Sequence, residues 1–292
     1  NGGSITDLAG NIANDLTHSS VSDNAEYKVD TTAPSVNSFT MSDTALKVGD
    51  NATVGLVFSE TVCTVSASCG GVVFSNADIT VPNGSLSTLT SSDNITWAGT
   101  YTPTDDVEDD TNVLSLGTGY TDLAGNTGPA TTTANYEVDT REPTISTVAI
   151  TSAAGIQNNF VNPNDNVSLT VTFSEVVVVD NASGSPTLTI VVGSDNRTAT
   201  YTSGSGNAQQ VFGYMVQALY TSGENDSNGI SISANSLSLN SSTIKDEAGN
   251  TAIISHSAVS NNSSYKVDTI PPTVDSAGIN NATGVQNNFV NP

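Results

Sequence analysis

The sequence predicts an all-β chain of tandem sandwich domains, and three observations carry that expectation. Thr, Ser, Asn, Val and Gly dominate the composition, strand-length alternating segments recur at short intervals between turn signals, and one octet returns three times. β-Branched and small polar residues favour pleated strands and tight turns over helix. The octet occurs as Tyr27-Lys28-Val29-Asp30-Thr31-Thr32-Ala33-Pro34, as Tyr136-Glu137-Val138-Asp139-Thr140-Arg141-Glu142-Pro143 and as Tyr265-Lys266-Val267-Asp268-Thr269-Ile270-Pro271-Pro272. Each copy has an alternating Tyr-x-Val strand, an Asp-Thr pair and a proline, which has no N–H to give to the interior of a sheet. That is a strand leaving one domain, a carboxylate at the exit and a stiffened hinge into the next.

Further repeats set the layout. Asp-x-Ala-Gly-Asn appears at Asp7–Asn11, Asp122–Asn126 and Asp246–Asn250, each ahead of its octet, and Phe-Ser-Glu appears at Phe58–Glu60 and Phe173–Glu175. The nonamer from Gly155 to Pro163 returns from Gly284 to Pro292 with a single difference, Ile156 against Val285. Residues 1–34 then read as the C-terminal part of one module, 35–143 and 144–272 as complete modules, and 273–292 as the start of a further one. Thr17-His18-Ser19 parallels Ser255-His256-Ser257, so the leading piece is of the second kind. The expectation is a window on a longer tandem array.

Within the first module, Ala52–Phe58 and Ile95–Tyr101 alternate as strands, with turn signals at Gly49-Asp50-Asn51, Pro82-Asn83-Gly84 and Ser92-Asp93-Asn94. The second offers Val167–Phe173, Pro186–Val192, Arg197–Tyr201, Val211–Leu219 and Ile230–Ile232. Ala208–Tyr220 could pass for helix, but Gly213 favours a strand. About seven short strands per module is the pattern of an immunoglobulin-like sandwich. Phe58, Trp97, Tyr101, Phe173 and Tyr201 are expected in the cores.

The charge balance narrows the partners. Acids number 29 against 6 bases, for a formal charge of -23. Such a chain repels nucleic acid and anionic lipid and attracts divalent cations. No apolar run is long enough to span a bilayer, and any export signal is expected outside the sequence that opens at Asn1. Cys63 and Cys69 suit a local disulfide, which would place the chain in an oxidising, extracellular setting; two free thiols are the alternative. No nucleophile elbow, phosphate loop or dinucleotide fingerprint is present, so no enzyme is expected. His18 and His256 stand without the second His or Cys that zinc requires, and share a structural role.

Taken together, Val-Asp-Thr-x-x-Pro, Asp-x-Ala-Gly-Asn and Thr-Phe-Ser-Glu resemble the bacterial Ig-like repeats that form the extender regions of large secreted, calcium-dependent surface adhesins. The resemblance covers essentially the whole chain. It implies tandem β-sandwiches on a bacterial exterior, frequently stiffened by calcium between domains.

Sandwich topology puts the acids in one place. Phe-Ser-Glu ends the second strand, so its Glu falls in the loop after it. Asp-x-Ala-Gly-Asn precedes the last strand as a turn, with Gly supplying the positive φ. The octet Asp of the preceding module arrives at the same pole. One junction then gathers Asp30, Glu60, Asp122 and Asn126, and the next gathers Asp139, Glu175, Asp246 and Asn250, while Asp268 awaits loops of a following module. Hard oxygen donors of this kind suit Ca²⁺ and not Zn²⁺. The competing reading is an Asx-stabilised turn beside a solvated Glu. Asp105-Asp106-Val107-Glu108-Asp109-Asp110 reads as a solvated acidic loop.

The function expected is a mechanical stalk whose partners are neighbouring modules of the same chain. The alternative is a self-assembling filament, sheath or surface layer in which identical chains pack laterally, with Val176–Val179 as the suspicious run.

Overall fold

The computed structural model describes residues 3–65, 69, 71–217, 224–278, 285–286 and 289–290. Nearly all regular structure is β. In order, the first body comprises β1 (Val36–Met41), β2 (Ala45–Lys47), β3 (Ala52–Phe58), β4 (Ile79–Thr80), β5 (Gly84–Leu86), β6 (Thr96–Pro103), β7 (Glu108–Asn112), β8 (Ser115–Leu116), β9 (Thr131–Thr132) and β10 (Tyr136–Asp139). One sheet has the order β1-β3-β6-β5, and it faces two smaller ones, β2-β10-β7 and β4-β8-β9. β10 runs parallel to β2 and antiparallel to β7. Alternate residues of β3, Ala52, Val54, Leu56 and Phe58, are fully buried between these layers, as period-2 side-chain geometry requires.

Aromatic side chains fill this core. Phe58 lies 5.3 Å from Phe74 and 5.0 Å from Tyr120 between ring centroids, and Phe74 is 4.9 Å from Trp97. Tyr101 and the octet's Tyr136 meet edge to face, and both hydroxyls donate to the Pro82 carbonyl, at 3.0 and 3.1 Å. The octet tyrosine is therefore a core residue with a satisfied polar tip. Trp97 is only partly buried. Cys63 and Cys69 form a disulfide, with 6.1 Å between Cα atoms.

The second body comprises β11 (Ile145–Ala154), β12 (Phe160–Val161), β13 (Asn166–Asp180), β14 (Thr187–Val192), β15 (Asp195–Ser203), β16 (Asn207–Met215), β17 (Asn225–Asp226), β18 (Ser231–Ser238), β19 (Thr243–Lys245) and β20 (Lys266–Asp268). Its main sheet runs β11-β13-β16-β15-β14-β18, with β19 on the far end of β13, opposite the sheet β12-β20-β17. Here too the exit strand β20 is parallel to β12. Val167, Leu169, Val171, Phe173, Leu188, Ile190 and Phe212 lead a core that shares no residue with the first. A hairpin, β21 (Val285–Gln286) with β22 (Phe289–Val290), follows.

Several expectations change. Glu175 is not in a loop: β13 continues through it, leaving β16 and picking up β19 at Val178–Asp180. The valine run is a strand with Val177 and Val179 inside and Val176 and Val178 exposed. The acidic loop is half strand, because Glu108 and Asp109 pair with Asp139 and Val138. β16 ends at Met215, and residues 218–220 of the expected strand lie outside the described residues, as does most of the second nonamer. Among the described residues, no helix is long and apolar enough to cross a membrane.

Because the cores are separate, damage to one should leave the other standing. Leu56→Ala should cost the first body about 3 kcal/mol and Leu169→Ala the second by a similar amount. In urea unfolding read by amide NMR signals, each substitution is expected to shift only its own body's transition. A joint shift of both would contradict separate cores.

Candidate metal centre

Each Asp-x-Ala-Gly-Asn segment builds the same turn. The carboxylate of Asp122 accepts from the main-chain N–H of Ala124 and Asn126 at 2.8 and 2.9 Å, and Asn126 Nδ2 donates back to it at 2.8 Å. Asp246 accepts from Gly249 and Asn250 at 2.6 and 2.7 Å, and Asn250 Nδ2 returns a bond of 2.8 Å. Asp7 and Asn11 repeat the arrangement. Gly125 and Gly249 sit at φ 92° and 98°, a conformation that excludes most side chains.

The turns reach across to the chain arriving from the preceding module. Asn126 Nδ2 donates to the carbonyls of Asp30 and Thr32 at 3.2 and 3.3 Å, and Asn250 Nδ2 to that of Asp139 at 2.8 Å. Asn250 Oδ1 in turn accepts from Val48 N at 2.8 Å, a bond from the first body to the second. The serine of Phe-Ser-Glu clamps the incoming linker just past its proline. Ser59 exchanges two bonds with Ser35, accepting on Oγ at 2.9 Å and donating from its main chain at 2.8 Å. Ser174 does the same with Thr144, at 3.0 and 2.7 Å.

These contacts bring the acids together. Oxygens of Asp30, Glu60 and Asp122 lie within 4.8 Å of one another, and so do those of Asp139, Glu175 and Asp246. Asp30 precedes the first body and Glu60 and Asp122 lie within it, whereas Asp139 belongs to the first body and Glu175 and Asp246 to the second. Asn126 and Asn250 enter through their amide nitrogens, so in this arrangement they brace the acids instead of turning an oxygen to a cation. Asp268 accepts from Ile270 N, and among the described residues no cluster of three acids includes it.

The electrostatics are those of crowded like charges. Burial, then the charges of Asp30 and Asp122, push the Glu60 carboxyl up. Burial, then Asp246, Asp139 and Glu108, push Glu175 up to about 7. Asp139 is also raised, by burial first. Asp122 moves the other way, because hydrogen bonds led by Asn126 outweigh its burial. Glu175 is high because it occupies an inward position of β13, in phase with Phe173 and Val177. Its Oε1 is buried without a hydrogen-bond partner among the described residues. An orphaned carboxylate oxygen facing two further carboxylates is a donor set for a hard cation. The positive charge that opposes the rise of Glu175 is Arg141, which pairs with Glu108 at 2.9 Å and Asp106 at 3.4 Å.

A comparison with protein families now has a geometry to attach to. Residues 30–138 match the family model of the bacterial Ig-like domain. The bacterial Ig-like match starts at Asp30, in the first acid trio, and stops one residue short of Asp139, in the second. The second body carries the same turn, serine clamp and acid trio outside the matched range. No curated protein and no solved structure matches the chain.

Sequence reasoning missed Ser59, Ser174 and Val48. The serines were visible inside a repeated motif but not their linker partners, and Val48 acts through its main chain, which side-chain identity does not report.

A raised carboxyl pKa has a definite sign for stability. The folded protein keeps a proton on Glu175 that the unfolded chain releases near its ordinary 4.5, so folding weakens as pH rises from there to about 7. In chelator, the second body should therefore melt higher at pH 5 than at pH 7.5, and Glu175→Gln should reduce that difference. Calorimetric scans showing an equal pH response in both proteins would remove the electrostatic account of Glu175.

Proposed function

We propose that this chain is a structural segment of an extracellular stalk on a bacterial surface, in which Ca²⁺ at each seam locks one β-sandwich to the next. One observation carries the reading: the second acid trio joins Asp139 of the first body to Glu175 and Asp246 of the second, and among the described residues the buried Glu175 Oε1 has no hydrogen-bond partner. A site inside one module would stabilise that module; a site across two fixes their relative orientation. The ligands would be Asp30, Glu60 and Asp122 at one seam and Asp139, Glu175 and Asp246 at the next. Carbonyls and water would complete the six to eight oxygens that Ca²⁺ takes. The cation's contribution is to neutralise carboxylates that otherwise repel one another.

Two features support the setting. The family resemblance of residues 30–138 is to a module of bacterial proteins, and the Cys63–Cys69 disulfide suits an oxidising compartment. The tandem layout, with partial modules before residue 35 and after 272, belongs to the same proposal. Lateral assembly of identical chains would call for a broad exposed apolar face, and the valines of β13 offer only Val176 and Val178.

The test is calcium titration of the whole chain by calorimetry, together with its hydrodynamic radius. Wild type should bind calcium with a higher melting midpoint and lose both effects in chelator. Asp139→Ala should weaken binding at the second seam at least tenfold and give a more compact average shape, with both sandwiches still folded. A melting midpoint and radius indifferent to chelator would sink the cation and leave a proline-hinged array.

A further inference from the structure

The two exit poles on this chain share one main-chain turn and part in the N–H at its second position. In the first body, Leu46 is buried and registers with Val138, and in the second, Val161 is buried and registers with Val267. Aligned on those residues, Lys47, Val48, Gly49 and Asp50 correspond to Asn162, Pro163, Asn164 and Asp165. The local bonds agree. Asp50 N donates to the Lys47 carbonyl and Asp165 N to that of Asn162, both at 3.1 Å. The aspartates accept from Lys47 N at 3.3 Å and Asn162 N at 2.8 Å. Gly49 and Asn164 both have positive φ, 84° and 73°. The turn is the same turn.

What differs is the N–H. Val48 donates to Asn250 Oδ1, whereas the corresponding Pro163 has no proton to donate. The same amide of Asn250 is bonded through Nδ2 to the Asp139 carbonyl and the Asp246 carboxylate. It is thus the meeting point of three segments, two from the first body and one from the second.

We infer that the Val48 N–H is a cation-independent latch on the seam between the two bodies, and that Val48 against Pro163 is the residue choice that decides whether an exit pole carries this latch. The pole at Asn162–Asn164 and Asp268–Pro272 repeats the positions that meet the Asp246–Asn250 turn at the first pole, and a hollow of about 450 Å³ lies between them. A turn docked there would be held without the main-chain bond. Joints following the two kinds of pole therefore differ: one is latched directly as well as by its acids, and the other relies on its acids and whatever neutralises them. This inference rests on the reading of the seam as a joint between modules, not on calcium.

The experiment compares Val48→Pro with Val48→Ala in the full chain, using one spin label on each body and the distribution of distances between them. Val48→Pro removes the N–H while keeping a residue that Pro163 shows the turn accepts, and Val48→Ala keeps the N–H. In chelator, wild type and Val48→Ala should keep a dominant narrow peak, and in Val48→Pro the ratio of docked to undocked population should fall roughly fivefold. Amide spectra establish that each body of each variant is folded. Distributions for Val48→Pro and Val48→Ala that coincide in chelator would overturn the latch. If Val48→Pro is looser than Val48→Ala with and without calcium alike, and calcium narrows neither, the latch stands and the cation proposal falls.

Discussion

The structure depends on an unusual arrangement of charge: carboxylates from separate segments of the chain are gathered by hydrogen bonds and not by opposite charges. The chain has too few cations for anything else, with 6 Lys and Arg in all. Asn126 and Asn250 do the gathering, each giving its amide protons both to the acid of its own turn and to a carbonyl of the incoming linker. Ser59 and Ser174 fix the same linker a few residues further on. The acids are thereby held close although their mutual repulsion opposes it, and burial first, with that repulsion added, raises the carboxyl groups of Glu60, Asp139 and Glu175. A seam preorganised in this way would meet the proposed cation with little rearrangement, which would lower the conformational cost of binding.

The repeated motifs divide the labour of a joint. The octet gives a core tyrosine, Tyr136, and a buried valine, Val138, to its own sandwich before presenting Asp139 to the next. Its threonine completes the exit, since Thr140 Oγ1 donates to the Thr104 carbonyl at 2.7 Å and accepts from Val107 N at 3.0 Å. Thr269 donates to the Glu224 carbonyl at 2.9 Å at the corresponding place. Strand, anchor, acid and hinge thus follow one another within eight residues, and nothing in the octet is left to the loop alone.

The fold class and the turns were legible in the sequence because both are local. Period-2 alternation in Ala52–Phe58 and an Asp followed by Ala-Gly-Asn need only neighbours along the chain to be interpreted. Repetition carried the acids as well, since three separately encoded motifs at matching intervals had to converge somewhere. What stayed hidden was long-range. Glu175 reads as a loop residue until β19 is known to extend β13 beyond it. Glu108 and Asp109 read as loop until β10 supplies a partner strand. Asn126 and Asn250 read as oxygen ligands, because a side-chain amide shows which end it uses only when its partners are in place.

The parallel pairing of β10 with β2 has a mechanical consequence. Ala45, Leu46 and Lys47 lie opposite Glu137, Val138 and Asp139, and the chain reaches β2 from its amino end and departs from the carboxyl end of β10. Once β1 has been drawn off β3, tension along the molecule would draw β2 and β10 in opposite directions along their length, straining their hydrogen bonds together instead of peeling them apart one by one. β12 and β20 repeat the geometry in the second body. A sandwich wired in this sense resists stretching through shear.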